Sequence, residues 1–318
     1  MKRLLTILCA MLLALSAHAQ EPPFPGRGTI ELTVLFPPGS SADITARLLA
    51  EAMSKHLPAN VIVVNRPGAG GAIGYKFVAS QKPDGYTLVW NSNSISTTYY
   101  SGLLPFDYKA FDPVARVLVE SPVLAVRANA PWKTLAEFLA DARAQPGKLT
   151  VGNSGVGSHT HISSVMLFKA AGVEVTDVPY GAAQVVPNLI GGHIDAVVQL
   201  PGALAIHVKA GTVRLLAALI PQRDPALPDV PTAVEQGVNA SVEAWRGVAA
   251  PRGTPAPIIA VLESAIRRTV ETPDFARACG ELGVRPAYLP GAEFGPLIAK
   301  GDIELSILMQ QIGLKKQP

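Results

Sequence analysis

The stretch that decides the fold is Ile30-Glu31-Leu32-Thr33-Val34-Leu35-Phe36, running straight into Pro37-Pro38-Gly39-Ser40-Ser41-Ala42-Asp43. β-Branched and apolar residues dominate the first half, and a Pro/Gly turn then delivers the chain to a serine that suits a helix N-cap. A strand feeding a helix in this way is the opening of a βα unit. The helix is expected over 41–56, with Ile44, Leu48, Leu49 and Met53 on one face. Ser40 and Asp43 have capping-box spacing, which predicts that the carboxylate reaches back to the cap.

Working outward, apolar runs at 61–64, 87–90 and 114–119 continue the strand series, separated by the Gly-rich segment 68–74 and a following helix. This makes one α/β lobe. After a run at 123–126 a second series begins, with strands expected at 149–152, 175–178, 195–198 and 214–219. Helices are expected between them at 134–144, at 158–171, up to 190 and at 203–210, giving a second α/β lobe. From Pro255 the strand signal stops. Helices over 257–270, 274–282 and 292–312 are expected to pack back onto the first lobe.

The first residues read as an export signal: Lys2 and Arg3, an apolar run over 4–15, and Ala17-His18-Ala19 before Gln20. A signal peptide over 1–19, cleaved after Ala19, predicts a periplasmic protein. Cys9 sits inside the apolar run and not at the cleavage point, so no lipid anchor is expected. The remainder has no uninterrupted apolar stretch of about 18 residues, the length a spanning helix needs. Cys279 is then the lone cysteine; one thiol makes no internal disulfide, and it is expected as a half-buried helical side chain.

The formal charge is +3. Removing Lys2 and Arg3 leaves about +1, a near balance that argues against a nucleic-acid partner. A mature chain of roughly 298 residues exceeds the size at which one core stops growing, so two domains of roughly 120 to 180 residues are expected. With 48% apolar and 16% charged residues, the chain can bury large cores.

Two loops carry the candidate chemistry. The segment from Phe36 to Asp43 joins a strand to a helix start, the place where open parallel sheets bind ligands. Asn153-Ser154-Gly155-Val156-Gly157-Ser158-His159 repeats that chemistry in the second lobe, following one strand and opening another helix. Both present free N–H groups, hydroxyls and a positive helix end, and neither contains Arg or Lys. Uncharged walls gripping a small anion from two sides, a single carboxylate and not a polyphosphate, are the expectation.

Enzyme readings fare worse. Gly68-Ala69-Gly70-Gly71-Ala72-Ile73-Gly74 lacks the G-x-G-x-x-G spacing of a dinucleotide site, and a tight turn into a closely packed helix is expected there. Gly152-Asn153-Ser154-Gly155-Val156 lacks the last glycine of a nucleophile elbow. His159 and His161 fall at a helix start, where residues two apart diverge, which argues against a metal. His193 and His207 read as solvent-facing caps, and no carboxylate pair has a spacing suited to acid/base work. The expectation is a binding protein with no cofactor and no metal. The alternatives are a ligand-sensing subunit that feeds a signalling protein, or a small-molecule enzyme using the same cleft.

The ordered motifs resemble the solute-binding proteins of the tripartite tricarboxylate transporters, the Bordetella uptake receptor group. They are Phe36-Pro37-Pro38-Gly39 with Asp43, Asn65-Arg66-Pro67-Gly68-Ala69-Gly70-Gly71 with Ile73-Gly74, and Pro83-Asp84-Gly85-Tyr86-Thr87-Leu88. Pro179-Tyr180, Gly191-Gly192-His193-Ile194-Asp195 and Leu227-Pro228-Asp229-Val230-Pro231-Thr232 follow, so the resemblance runs over about 30–312. It implies a two-lobed type II periplasmic binding protein with a ligand cleft between lobes, lobe 1 formed by 29–124 with 241–318 and lobe 2 by 125–240. It also implies a monomer that clasps a small organic acid (amino acid, dicarboxylate, tricarboxylate or aromatic acid) and passes it to integral-membrane transporter subunits. Carried over by position, the first-lobe contacts are Gly39, Ser40, Ser41 and Asp43, with Asn91 and Ser92. Those of the second lobe are Ser154, Gly155, Gly157, Ser158 and His159, with Tyr180, Gly181 and Gln199 nearby. Three departures stand out. Ser40 replaces a second glycine, the segment after Tyr180 is one residue shorter and lacks a basic residue, and Gln199 stands where a carboxylate is common. The segment 65–74 is assigned to packing and lobe structure.

Overall fold

The computed structural model describes residues 24–26 and 28–316, so the expected export signal and its cleavage point lie outside the described residues. The chain opens with β1 (Ile30–Val34), α1 (Ser41–Met53), β2 (Val61–Asn65), α2 (Ala72–Ala79), β3 (Thr87–Ser92), α3 (Ser94–Tyr100) and β4 (Phe111–Glu120). After Ser121-Pro122 come β5 (Val123–Arg127), α4 (Leu135–Ala144), β6 (Thr150–Asn153), α5 (His159–Ala171) and β7 (Thr176–Pro179). Then follow α6 (Val185–Ile190), β8 (Ala196–Gln199), α7 (Ala205–Lys209) and β9 (Val213–Ala218). The return is made by β10 (Ala244–Pro251), α8 (Ala256–Val270), α9 (Pro273–Glu281), β11 (Arg285–Pro290) and α10 (Gly291–Gln311).

Two mixed sheets result, in the orders β11-β4-β10-β3-β1-β2 and β7-β6-β8-β5-β9. In the first, β1 lies parallel to β2 and β3, with Leu32 opposite Val63 and Leu88. In the second, β6 lies parallel to β7 and β8. Because β4 runs into β5 through two residues, and β10 pairs antiparallel with both β3 and β4, the crossings between sheets sit side by side. The architecture is the two-lobed α/β one expected.

Each sheet has its own core. Leu32, Leu49, Trp90 and Val117 pack with Leu262, Ile266 and Phe275, so α8 and α9 do fold back onto the first sheet. Leu124, Phe138, Val151, Leu167 and Val198 form the second core. Each fully buried side chain of this size contributes roughly 1.5–3 kcal/mol, so each sheet is stabilised by a core of its own. On α1, Leu49 and Met53 are buried while Ile44 and Leu48 are only half-buried, and the helix ends at Met53, short of the expected His56.

Four expectations are corrected. β10 was not foreseen: its sequence AWRGVAAP shows no alternation, because all eight residues are buried between neighbouring strands and layers. β11 overturns the end of strand signal at Pro255; its Pro286 and Pro290 are tolerated because it is the edge strand of its sheet. α10 does not serve the first lobe alone, since its Met309 packs with Tyr100 of α3 and Ile162 of α5. Cys279 is wholly buried and not half-buried, and burial pushes its thiol up to about 12, which keeps it unreactive. Among the described residues no helix is long and apolar enough to cross a membrane.

Candidate functional site

Two helix starts face the space between the lobes, and they are built alike. Ser40 caps α1 and Ser158 caps α5, both with φ −71° and ψ 158°. Ser40 Oγ accepts from Asp43 N at 3.2 Å, and Ser158 Oγ accepts from His161 N at 3.2 Å. Each cap consumes the N–H of the third helical residue and leaves the N–H groups before it aimed out of the helix end. Those groups carry the positive end of the helix dipole.

A chamber of about 20 Å³ lies between the two starts. Ser40, Ser41, Ser92, Asn93 and Ser94 line it from the first lobe, and Ser154, Ser158, His159, Thr160 and Gln199 line it from the second. Gln199 Nε2 donates to Ser154 Oγ at 3.0 Å, and Thr160 Oγ1 accepts from Ser154 N at 2.9 Å. That volume holds about one water molecule, so an organic acid requires the lobes to part. Outside the chamber a groove of about 630 Å³ runs between Gly68–Gly71 on one lobe and Val156 and Tyr180 on the other. Phe36, Ser154 and Ala182 border both spaces.

Of the residues carried over from the family motifs, Ser40, Ser41, Ser92, Ser154, Ser158, His159 and Gln199 meet at the chamber. Gly155, Tyr180 and Gly181 line the outer groove with Ser154. Gly39, Asp43, Asn91 and Gly157 line neither space. Asp43 accepts hydrogen bonds from Gly39 N (3.0 Å), Arg47 Nε (3.0 Å) and Asn65 Nδ2 (2.9 Å), a knot that fixes the turn after β1. The reciprocal bond of the expected capping box therefore goes to Gly39 N and not to the cap, because Gly39 at φ +79° turns its N–H toward the carboxylate. Burial pushes the Asp43 carboxyl up, but these bonds and the Arg47 charge outweigh it and leave Asp43 below its ordinary value. Asn91 is spent on Tyr75 Oη (2.8 Å) and on Ser92 N (2.9 Å). Gly157 packs under Leu103 and Ser101, where a Cβ would lie 3.1 Å from Leu103 Cδ1.

The segment 65–74 does form the tight turn and closely packed helix expected. A Cβ on Gly74 would lie 2.7 Å from Leu35 Cδ2. It also has a part the sequence did not reveal: a Cβ on Gly70 would lie 3.2 Å from the Val156 carbonyl oxygen, on the opposite lobe. Gly202 plays the matching part from the second lobe, where a Cβ would meet Ser41 Oγ at 2.6 Å. Two glycines therefore let the lobes touch on either side of the chamber.

The expectation of uncharged walls is overturned. Arg246 of β10 lines the chamber, 4% exposed, and its Nε donates to Glu120 Oε2 at 2.9 Å. It was invisible to a reading of the two loops because it arrives on the unforeseen strand. Asn93 anchors that same strand to the first lobe, its Oδ1 accepting from Trp245 N at 2.8 Å. His159 is held neutral: burial, with the Arg246 charge adding, pulls it down to about 4. Its Nε2 is buried and has no hydrogen-bond partner. His161 turns away to Asp177, 3.6 Å from its Nε2, and no cluster of three metal-ligating side chains occurs among the described residues.

Two α/β lobes joined by paired crossing strands, with capped helix ends facing across a narrow chamber, define a solute-binding protein. The family model for the tripartite tricarboxylate transporter family receptor matches residues 45–314, and the chain belongs to that family. A Cupriavidus necator protein described as "UPF0065 protein in gbd 5'region" is 32% identical over 307 residues, 96% of this chain and 93% of its own length. A solved periplasmic transporter superposes with TM-score 0.87 at 30% identity, covering 92% of this chain and 99% of its own. MatC from Rhodopseudomonas palustris, solved with bound malate, superposes with TM-score 0.82 at 29% identity, covering 90% and 99%. The family is one of transporter receptors and the first of these structures is a periplasmic transporter; the chain is a periplasmic solute-binding protein.

Proposed function

We propose that the cleft captures a small organic acid by its carboxylate and that the loaded, closed form delivers it to membrane transporter subunits. The observation that carries this reading is that two capped helix N-termini, one from each lobe, line the same chamber. An anion between them accepts N–H bonds from Ser41 and Ala42 on one side and from His159 and Thr160 on the other. The Ser154 hydroxyl and the Gln199 amide complete the cradle. Charge-assisted bonds of this kind are roughly twice as strong as neutral ones, and a few of them suffice for micromolar binding.

Binding and closure are one event in this scheme. The lobe built on the first sheet, up to Glu120 and again from Ala244, swings against the lobe built on the second, 123–240, about the crossings at Ser121-Pro122 and at 241–243. The open form admits the acid, and closure brings the second helix end onto it. MatC, solved with malate, supports a carboxylate as the ligand class.

Titration calorimetry of the purified protein against amino acids, dicarboxylates and aromatic acids tests this. The expected result is at least one saturable isotherm, accompanied by compaction in small-angle scattering. A flat response across the whole panel overturns it.

A further inference from the structure

The hinge-side wall of the chamber holds a charged pair that carboxylate capture by two helix ends does not require. Arg246 lies on the strand by which the chain returns from the second lobe, and Glu120 ends the strand by which it leaves the first. Their side chains are 5% and 0% exposed. Glu120 accepts from Arg246 Nε through Oε2 and from Ser41 Oγ through Oε1. Arg246 and Ser41 line the chamber, whereas Glu120 stands behind both. The pair is thus oriented, cation toward the chamber and anion away from it.

A guanidinium has five N–H donors in a rigid fork, and the Glu120 bond uses only the one on Nε. Among the described residues the two terminal nitrogens of Arg246 have no hydrogen-bond acceptor. A purely structural ion pair in so buried a place is expected to have its remaining donors satisfied by protein, since unmet buried donors are costly. Here they are left over beside a cavity that the buried imidazole of His159 also lines. Terminal guanidinium nitrogens matched to a planar pair of oxygens are the standard way arginine takes a carboxylate.

Resting on the carboxylate-capture reading above, we infer that Arg246 selects acids carrying a second carboxylate. The first carboxylate sits on the helix ends, and the second is taken by the two terminal nitrogens of Arg246. Glu120 is the positioning residue: through its two oxygens it fixes the angle of Arg246 and the rotamer of Ser41 together, so both ends of the ligand are registered by one buried side chain.

The test compares acids of equal chain length that differ by one carboxylate: malate against 3-hydroxybutyrate, and adipate against hexanoate. Each is titrated into the wild-type protein, Arg246→Gln, Arg246→Lys, and the doubly neutral Glu120→Gln with Arg246→Gln. The double variant leaves no unpaired charge if the single one fails to fold, and thermal melts report which variants are folded. The wild type is expected to prefer the diacid of at least one pair by about tenfold or more, the scale of one charge-assisted pair of bonds. Arg246→Gln is expected to cut that ratio to within about threefold by weakening the diacid alone, the double variant to cut it as far while also weakening the monoacid because Ser41 loses its partner, and lysine to restore part of it. A ratio unchanged in the folded double variant, or an equal loss for diacid and monoacid, overturns the role of Arg246 and leaves carboxylate capture standing. A wild type that binds none of the four acids and none of the wider panel overturns capture itself.

Discussion

The helix starts at Ser40 and Ser158 have the same cap dihedrals and the same cap bond, yet what stands behind them differs completely. Behind Ser40 and Ser41 are the knot of Asp43, Arg47 and Asn65 and the buried Glu120–Arg246 pair. Behind Ser158 and His159 the groups are mostly neutral, with Thr160 Oγ1 3.2 Å from Ser158 Oγ and Ser163 Oγ donating to the His159 carbonyl at 2.8 Å, while the Asp177 carboxylate lies 3.6 Å from His161 Nε2. A capped turn that binds an anion is a local device that can be repeated in each lobe. The charges that tune it come in part from α1 itself, through Asp43 and Arg47, and in part from the crossing strands, whose Glu120 and Arg246 belong to neither turn. The first lobe therefore sets orientation through ions, and the second closes over the ligand with hydroxyls, an amide and a neutral imidazole.

The largest expected effect comes from breaking the ionic side of that contrast. Arg246→Ala leaves the fully buried Glu120 carboxylate with Ser41 alone, and removing one partner of a buried pair costs about 3–5 kcal/mol. Chemical denaturation should show this loss, and the doubly neutral variant with glutamine at 120 and 246 should recover most of it. A loss below about 1 kcal/mol for Arg246→Ala would mean that the pair is freely hydrated in solution.

The imidazole side is probed by acid. His159 sits at about 4 when folded, against 6.5 for the ordinary group, so the unfolded chain takes up the proton first. Stability is then complete above pH 6.5 and drains away as pH falls toward 4, by no more than about 3 kcal/mol at roughly 1.4 kcal/mol per unit. His161, pulled down by burial, acts in the same direction, whereas burial raises its partner Asp177, which acts in the opposite one. Melting curves of His159→Gln and wild type isolate the first contribution: the variant should lose less stability between pH 6.5 and 4. Parallel curves would show that the imidazole is not buried in the folded protein.

A smaller effect is expected where the lobes touch. Gly202→Ala puts a methyl 2.6 Å from Ser41 Oγ, a hydroxyl already held by Glu120 and unable to step aside freely. Each lobe should stay as stable as before, within about 0.5 kcal/mol. The closed form should become harder to reach, weakening acid binding by about tenfold and raising the scattering radius of the loaded protein. Unchanged affinity would show that the contact between Gly202 and Ser41 is not part of closure.

How far this molecule was legible in its sequence divides along the same line. The βα units around 30–53 and 150–171 and the cap at Ser40 were readable, because a cap depends on residues within one turn and a βα unit on local periodicity, whereas Ser158, expected as the first residue of its helix, is its cap. The Gly39 bond to Asp43 was misassigned by one residue, since a positive φ redirects an N–H in a way that spacing does not show. β10 and β11 were hidden for opposite reasons, one buried throughout and the other carrying two prolines at an edge. Arg246 was missed with β10. No local signal pairs it with Glu120, 126 positions away, and only the antiparallel register of the crossing strands brings the two together.

The finest comparison is between the caps themselves. Ser40→Ala and Ser158→Ala each remove one N-cap bond of the same length, and each should cost about 1 kcal/mol. If the ions behind Ser40 stabilise only the orientation of its turn, the two losses should agree within a few tenths of a kcal/mol, since the cap bond is the same in both. Should Ser40→Ala cost less, the bonds from Asp43 to Gly39 and Asn65 already hold the turn after β1 without its cap. Should it cost more, the cap and the ionic knot are coupled, and a double-mutant cycle with Asn65→Ala would then give an interaction energy above about 0.5 kcal/mol. Measured by urea unfolding at neutral pH, the pair of values decides whether the two turns are one device used twice or two devices that share a cap.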